Sequence, residues 1–303
     1  KKKVWGKRVL LPEGWSSNTL IDIDHIGRIK DIIKNVEPSN QVFDTLIPSP
    51  MNLHSHCFQR AMSGLSERSE SKTNDFWSWR NFMYSFLNKI TPDHFEAICA
   101  LAQMEMLEAG YAGVSEFHYL HNDLSGVRYN NISEMSKRVI NASNITGIGL
   151  TLLPVLYEQQ GINGGDLISG QDRFGLAFHE FEKLVEEIIS LKNKINDFQI
   201  GVAAHSLRAV KKQSLKELSQ NFIKLPIHIH VAEQKKEVTE IFNAWNKRPV
   251  EWLIENLALN KKWCLVHCTQ MLDYESRLLA ETGAVIGLCP ITEANLGDGV
   301  FNG

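Results

Sequence analysis

Leu225-Pro226-Ile227-His228-Ile229-His230-Val231-Ala232-Glu233-Gln234 reads as a buried strand that carries histidines at 228 and 230 and a carboxylate at 233. Side chains alternate along a strand, so His228 and His230 share one face. A second pair of the same kind stands at His54-Ser55-His56. Two His-x-His strands far apart in sequence, one followed by a glutamate, point to a metal site with a carboxylate beside it. The rest of the chain then reads as the scaffold that brings them together.

Working outward, strand patterns recur at 51–56, 113–119, 149–156, 200–206, 227–232, 263–268 and 284–289. Helical patterns separate them. Thr91-Pro92-Asp93 opens one of these helices with a threonine cap and a proline at the first helical position, and Gly110 closes it. Others are expected at 131–143, 172–191, 211–222, 234–256 with a break near Pro249, and 272–282. Strands alternating with helices imply parallel pairing through right-handed crossovers, and the continuous apolar strand centres imply burial on both faces. Polar residues fall at the carboxyl ends of five strands: His54 and His56, Glu116 and Tyr119, His205 and Arg208, His230 and Glu233, and His267. That favours an α/β fold of the TIM-barrel type over an open sheet with one crevice. Seven βα units are legible within residues 49–303. A complete barrel has eight, so the C-terminal unit is expected to be missing from this stretch. Residues 1–48 differ, with short β-like runs broken by Gly6, Gly14 and Gly27, and are expected to form the N-terminal part of a small β-sandwich domain.

Composition narrows the function. A net charge of −3 gives no basic field for nucleic acid. No apolar run reaches the roughly 18 residues of a membrane span, and the start lacks a signal pattern. Five cysteines form no CxxC pair and read as reduced thiols of a cytoplasmic protein.

The chemistry-bearing residues each have a plainer reading. His54 and His56 suit one divalent metal with His230 as a third nitrogen, or are two histidines in a polar loop. Three His ligands suit a catalytic Zn²⁺, with Fe²⁺ as the alternative. Glu233 is a general acid/base beside a metal-bound water, or a first-turn glutamate on the dipole of the helix that follows. His267 polarises substrate, or is a hydrogen-bonded core histidine. Arg208 and Arg80 are candidate carboxylate binders. Arg80 lies in the aromatic run Phe76-Trp77-Ser78-Trp79-Arg80, equally readable as a lid or an oligomer contact.

Asn52-Leu53-His54-Ser55-His56-Cys57-Phe58-Gln59-Arg60 resembles the first-strand motif of the amidohydrolase superfamily. Its continuation is similar to the formimidoylglutamate deiminase branch through Phe76–Arg80, Glu116-Phe117-His118-Tyr119-Leu120-His121, Ala204-His205-Ser206-Leu207-Arg208, His228–Gln234, His267-Cys268-Thr269, and Leu288-Cys289-Pro290 into Thr292-Glu293-Ala294-Asn295-Leu296-Gly297-Asp298-Gly299. The resemblance implies one divalent metal on His54, His56 and His230, usually zinc, with Glu233 and His267 catalytic. Gln59, Tyr119, His205 and Arg208 would hold a small dicarboxylate substrate. Arg80 would reach the neighbouring subunit's site in a homodimer. The implied reaction converts N-formimino-L-glutamate to N-formyl-L-glutamate and ammonia, in histidine degradation. A fourth, aspartate ligand belongs to an eighth strand, and Asp298 lies outside that place. The alternatives are a deaminase of a purine, pterin or S-adenosylhomocysteine-like compound, or an inactive binding barrel.

Overall fold

The computed structural model describes residues 2–39, 41–65, 76–168, 170–192, 195 and 197–302, with residues 76–81 as backbone only. The polar loop at 66–75 and the side chain of Arg80 lie outside the described residues. Contacts divide the chain into two compact units, Lys1–Pro50 and Met51–Gly303.

The first unit is a four-stranded sheet of β1 (Lys2–Leu11), β2 (Gly14–Ile23), β3 (Ile29–Ile33) and β4 (Gln41–Leu46), in the order β3-β2-β1-β4. Strands β1 and β2 form a hairpin that keeps register from Lys2↔Ile23 to Leu11↔Gly14. Gly14 turns it at a φ of +117°, which only glycine adopts without strain. β4 adds to β1 in parallel.

The second unit is a nearly closed barrel of parallel strands wrapped by helices. In chain order it runs β5 (Met51–Ser55), a 3₁₀ turn (Cys57–Met62), α1 (Phe76–Leu87), α2 (Pro92–Glu108), β6 (Gly113–His118), α3 (Glu134–Thr146), β7 (Gly149–Leu156) and α4 (Phe178–Leu191). It continues through β8 (Phe198–Ile200), β9 (Val202–Ser206), α5 (Lys212–Asn221), β10 (Ile227–Val231), α6 (Lys235–Trp245), α7 (Pro249–Asn256), β11 (Trp263–His267), α8 (Asp273–Thr282), β12 (Val285–Gly287) and α9 (Pro290–Leu296). The path is β12-β11-β10-β9-β7-β6-β5, with β8 beside β7.

Every strand pattern read in the barrel region is a strand. The fourth is split, because the chain closes tightly on Gly201: a Cβ there would meet Leu153 at 2.6 Å and the Pro226 carbonyl at 2.7 Å. β8 therefore pairs with the lower half of β7 and β9 with its upper end. The helix expected from 172 begins at Phe178 instead. Gln171 and Arg173 are fully buried and serve as loop ties: Gln171 donates to the Tyr157 hydroxyl, and Arg173 to the Asn122 and Leu87 carbonyls. α2 keeps its expected start, with Thr91 Oγ1 accepting the His94 N–H. The helices α1 and α9 and the strand β3 were not expected.

Candidate active site

The carboxyl ends of β5 and β10 bring His54, His56 and His230 together. Their Nε2 atoms face one another at 2.9 Å (54 to 56), 3.1 Å (54 to 230) and 3.3 Å (56 to 230). The backbone sets two of the rings: His56 Nδ1–H donates to the Phe117 carbonyl at 3.0 Å and His230 Nδ1–H to the His205 carbonyl at 2.9 Å. A hydrogen bond at one ring nitrogen fixes the other as the free lone pair. Burial and the neighbouring imidazoles push His54 and His230 well below the usual histidine range, and burial takes His56 to about 4. The rings are therefore neutral, with lone pairs converging. Three lone pairs this close repel unless a cation lies between them. Tetrahedral Zn–N bonds of about 2.0–2.1 Å would space such nitrogens by about 3.3–3.4 Å, so the set fits a divalent ion. His228, on the same strand face, is buried one step deeper and is not part of this cluster.

Glu233 and His267 meet beside the histidines. Glu233 Oε1 lies 3.5 Å from His267 Nε2, and both residues are buried. Ahead of α6, the Ala232 and Glu233 N–H groups donate to the Glu237 carboxylate at 3.2 and 3.0 Å. Glu233 precedes the first turn of α6, whose N-cap is Gln234, and its carboxylate faces His267. Burial raises its carboxyl, while the His267 and Arg208 charges pull it back in part. For His267 burial lowers the imidazole, but the Glu233 and Glu293 carboxylates outweigh that and the net shift is upward. The ring also stacks on His230 at 5.5 Å between centroids.

Gln59, Tyr119 and His205 form a continuous wall next to the cluster. Gln59 Nε2 donates to the Tyr119 hydroxyl at 3.2 Å, and the Tyr119 ring lies 5.0 Å from His56 and 5.5 Å from His205. Tyr157, not singled out from sequence, packs on His205 at 4.7 Å. Arg208 is nearly buried close enough to Glu233 to stabilise its charge. Arg80 is on α1, and its side chain lies outside the described residues.

Two further carboxylates, Glu116 and Glu293, were noted in the sequence without a role. Glu116 accepts the Cys57 N–H at 2.7 Å and the Cys57 thiol at 2.9 Å. It points to the outer face of β6, opposite Phe117, and pins the chain directly after His56 from behind. Burial lifts its carboxyl to about 7. Glu293 on α9 accepts from His267 Nδ1 at 3.1 Å. Left-handed backbone at Ala232 (φ +51°), His267 (+74°) and Cys268 (+53°) marks the ends of β10 and β11. Non-glycine residues hold such angles only where the surroundings impose them, as at functional sites.

A parallel barrel with a histidine cluster and a buried glutamate–histidine pair at its carboxyl ends is the arrangement of one protein family, and the chain belongs to it: residues 45–302 match the amidohydrolase family. It is 41% identical over 302 residues to formimidoylglutamate deiminase of Pseudomonas aeruginosa, covering 98% of this chain and 66% of that protein. A crystal structure of an amidohydrolase from Brucella melitensis superposes with a TM-score of 0.94 at 43% identity, over 100% of this chain and 68% of that one. An adenosine deaminase from Xanthomonas campestris, solved with bound Zn, shares the fold with a TM-score of 0.74 at 17% identity, over 98% of this chain and 64% of that one. The chain thus spans about two thirds of the length of these relatives.

Proposed function

We propose that this chain carries the active site of an enzyme that hydrolyses N-formimino-L-glutamate to N-formyl-L-glutamate and ammonia. The observation that carries the reading is the 41% identity to formimidoylglutamate deiminase over 98% of the chain. The site residues supporting it are those described above. His54, His56 and His230 would hold one divalent ion, with zinc favoured over iron by the neighbour solved with bound Zn. When bound, such an ion lowers the pKa of a water molecule and so supplies hydroxide near neutral pH. Glu233 takes a proton at its carboxylate and passes it to the departing nitrogen. His267 donates from Nε2 to charge that develops as the formimino carbon becomes tetrahedral. One water is consumed, the C–N bond to the imino nitrogen breaks, and ammonia leaves. Gln59, Tyr119, His205 and Arg208 orient the glutamate part, with Arg208 facing a carboxylate.

The proposal extends to a homodimer in which Arg80 reaches the neighbouring subunit's substrate, to a cytoplasmic setting consistent with free thiols at Cys57, Cys99, Cys264, Cys268 and Cys289, and to a step in histidine breakdown.

The test is ammonia release by the full-length, Zn²⁺-loaded protein from N-formimino-L-glutamate, beside guanine and S-adenosylhomocysteine. Release from the first alone is expected. Arg208→Ala should raise KM for formiminoglutamate by about 30-fold or more, since losing one partner of a buried charge pair costs about 2–5 kcal/mol. Turnover of a ring amidine, indifferent to Arg208→Ala, would overturn the substrate reading.

A further inference from the structure

His267 leaves β11 in the left-handed region and Cys268 follows it there, at φ +74° and +53°. That backbone alone does not fix where the imidazole points. Two carboxylates bracket the ring: Glu233 Oε1 is 3.5 Å from Nε2, and Glu293 Oε1 is 3.1 Å from Nδ1. Glu293 is itself held in place. It is 5% exposed, sits in the first turn of α9, and its Oε1 also accepts the Cys289 N–H at 3.0 Å. Ligand atoms of His267, Cys289 and Glu293 lie within 4.8 Å of one another, which raises the question of a second cation. Burial pushes the Cys289 thiol up to about 12. The Glu293–His267 hydrogen bond already uses the facing nitrogen and oxygen. The cluster is a hydrogen-bonded unit.

We infer that Glu293 is the positioning residue of His267, holding the ring with Nδ1–H directed at α9 and Nε2 directed at Glu233 and the reacting carbon. What Nε2 does there rests on the proposed deiminase reading, whereas the orientation does not. A carboxylate on the far nitrogen of a working imidazole fixes the ring's aim. α9 thereby acts on the reaction through a side chain that never meets substrate.

The test uses full-length Zn²⁺-loaded protein with ¹⁵N-labelled histidine, the His267 resonances being assigned by their loss in His267→Asn. In Glu293→Ala, the His267 Nδ1 signal should move away from its hydrogen-bonded position. Then kcat for formiminoglutamate should fall by about 10–100-fold, as for other groups that orient a working histidine. KM should change by less than about threefold, and zinc content should stay the same. Glu293→Gln keeps an acceptor oxygen of the same reach, for Nδ1–H and for Cys289. It should recover at least about fivefold of the lost kcat. If the alanine variant fails to fold, the glutamine variant decides: its Nδ1 resonance should still shift, because an amide oxygen is a weaker acceptor. An unmoved Nδ1 signal in either folded variant overturns the inference, as does an unchanged kcat in Glu293→Ala. A protein that releases no ammonia from formiminoglutamate refutes the substrate reading instead, and the resonance alone then judges Glu293.

Discussion

Glu233 shows how position and chemistry separate at a single residue. Its sequence context, three residues after His230 and at the start of a helix, suits a first-turn glutamate on the helix dipole as well as a catalytic acid. The structure ties the Glu233 backbone N–H to Glu237 and buries the Glu233 carboxylate against His267. Burial raises its carboxyl, so it can hold a proton that an exposed glutamate would lose. On the proposed mechanism, Glu233→Gln should retain its metal, measured by elemental analysis, and lose about 10²–10⁴-fold in kcat, the usual worth of a positioned acid–base. Undiminished turnover would remove Glu233 from the proton path. The histidines were legible because alternation along a strand is a local rule, and His54, His56 and His230 obey it. Glu116 and Glu293 were not, because their partners Cys57 and His267 lie 59 and 26 residues away. Nothing local distinguishes a carboxylate that pins a loop from one that faces water.

At the scale of elements, the amino end of α4 shows both what sequence reading reaches and where it stops. Apolar periodicity extends back toward 172, yet the helix waits until Phe178 because Gln171 and Arg173 are committed to loop contacts. Glu180 then fixes the start. It accepts the Ala177 N–H at 2.9 Å and a forked pair from Arg128 at 3.0 and 2.6 Å. The Arg128 hydrogen bonds hold its carboxyl below the usual range, against a smaller opposing effect of burial. A depressed carboxyl contributes stability above its unfolded value of about 4.5, and that contribution is lost as pH falls through the folded value. Glu180→Gln should therefore cost about 1–2 kcal/mol at pH 7 in urea unfolding. The deficit should shrink toward zero below about pH 4. A deficit that persists unchanged in acid would mean that the cap and the fork act through shape alone.

Across the whole molecule, the strand–helix alternation carried the architecture because each βα unit repeats one pattern, and a misjudged helix start does not alter the order of strands. Such a reading leaves out polar groups that the barrel wall buries for packing. His118 points outward from β6 and stacks on Phe95 of α2 at 5.6 Å, 5.0 Å from His121. Both are buried, and His121 Nε2–H donates to the Val155 carbonyl at 2.9 Å. Burial pushes His118 well below the histidine range and His121 to about 4. In the unfolded chain both take a proton near pH 6.5, so the unfolded state binds more protons as the pH drops from about 6.5 toward 4. Stability must fall through that window. Glu116 works with the opposite sign: its carboxyl, raised to about 7, contributes stability below about 4.5 that is lost as the pH rises through about 7. The net pH profile therefore mixes the two, and only a difference between variants separates them. His118→Leu removes one titrating ring and keeps an apolar filling beside Phe95. Between pH 6.5 and 4.5 its urea-unfolding stability should fall less steeply than the parent's, by up to about 1.4 kcal/mol per pH unit for one proton. Identical slopes would mean that His118 is protonated in the folded barrel, and that the wall between β6 and α2 opens to water in acid before the molecule unfolds.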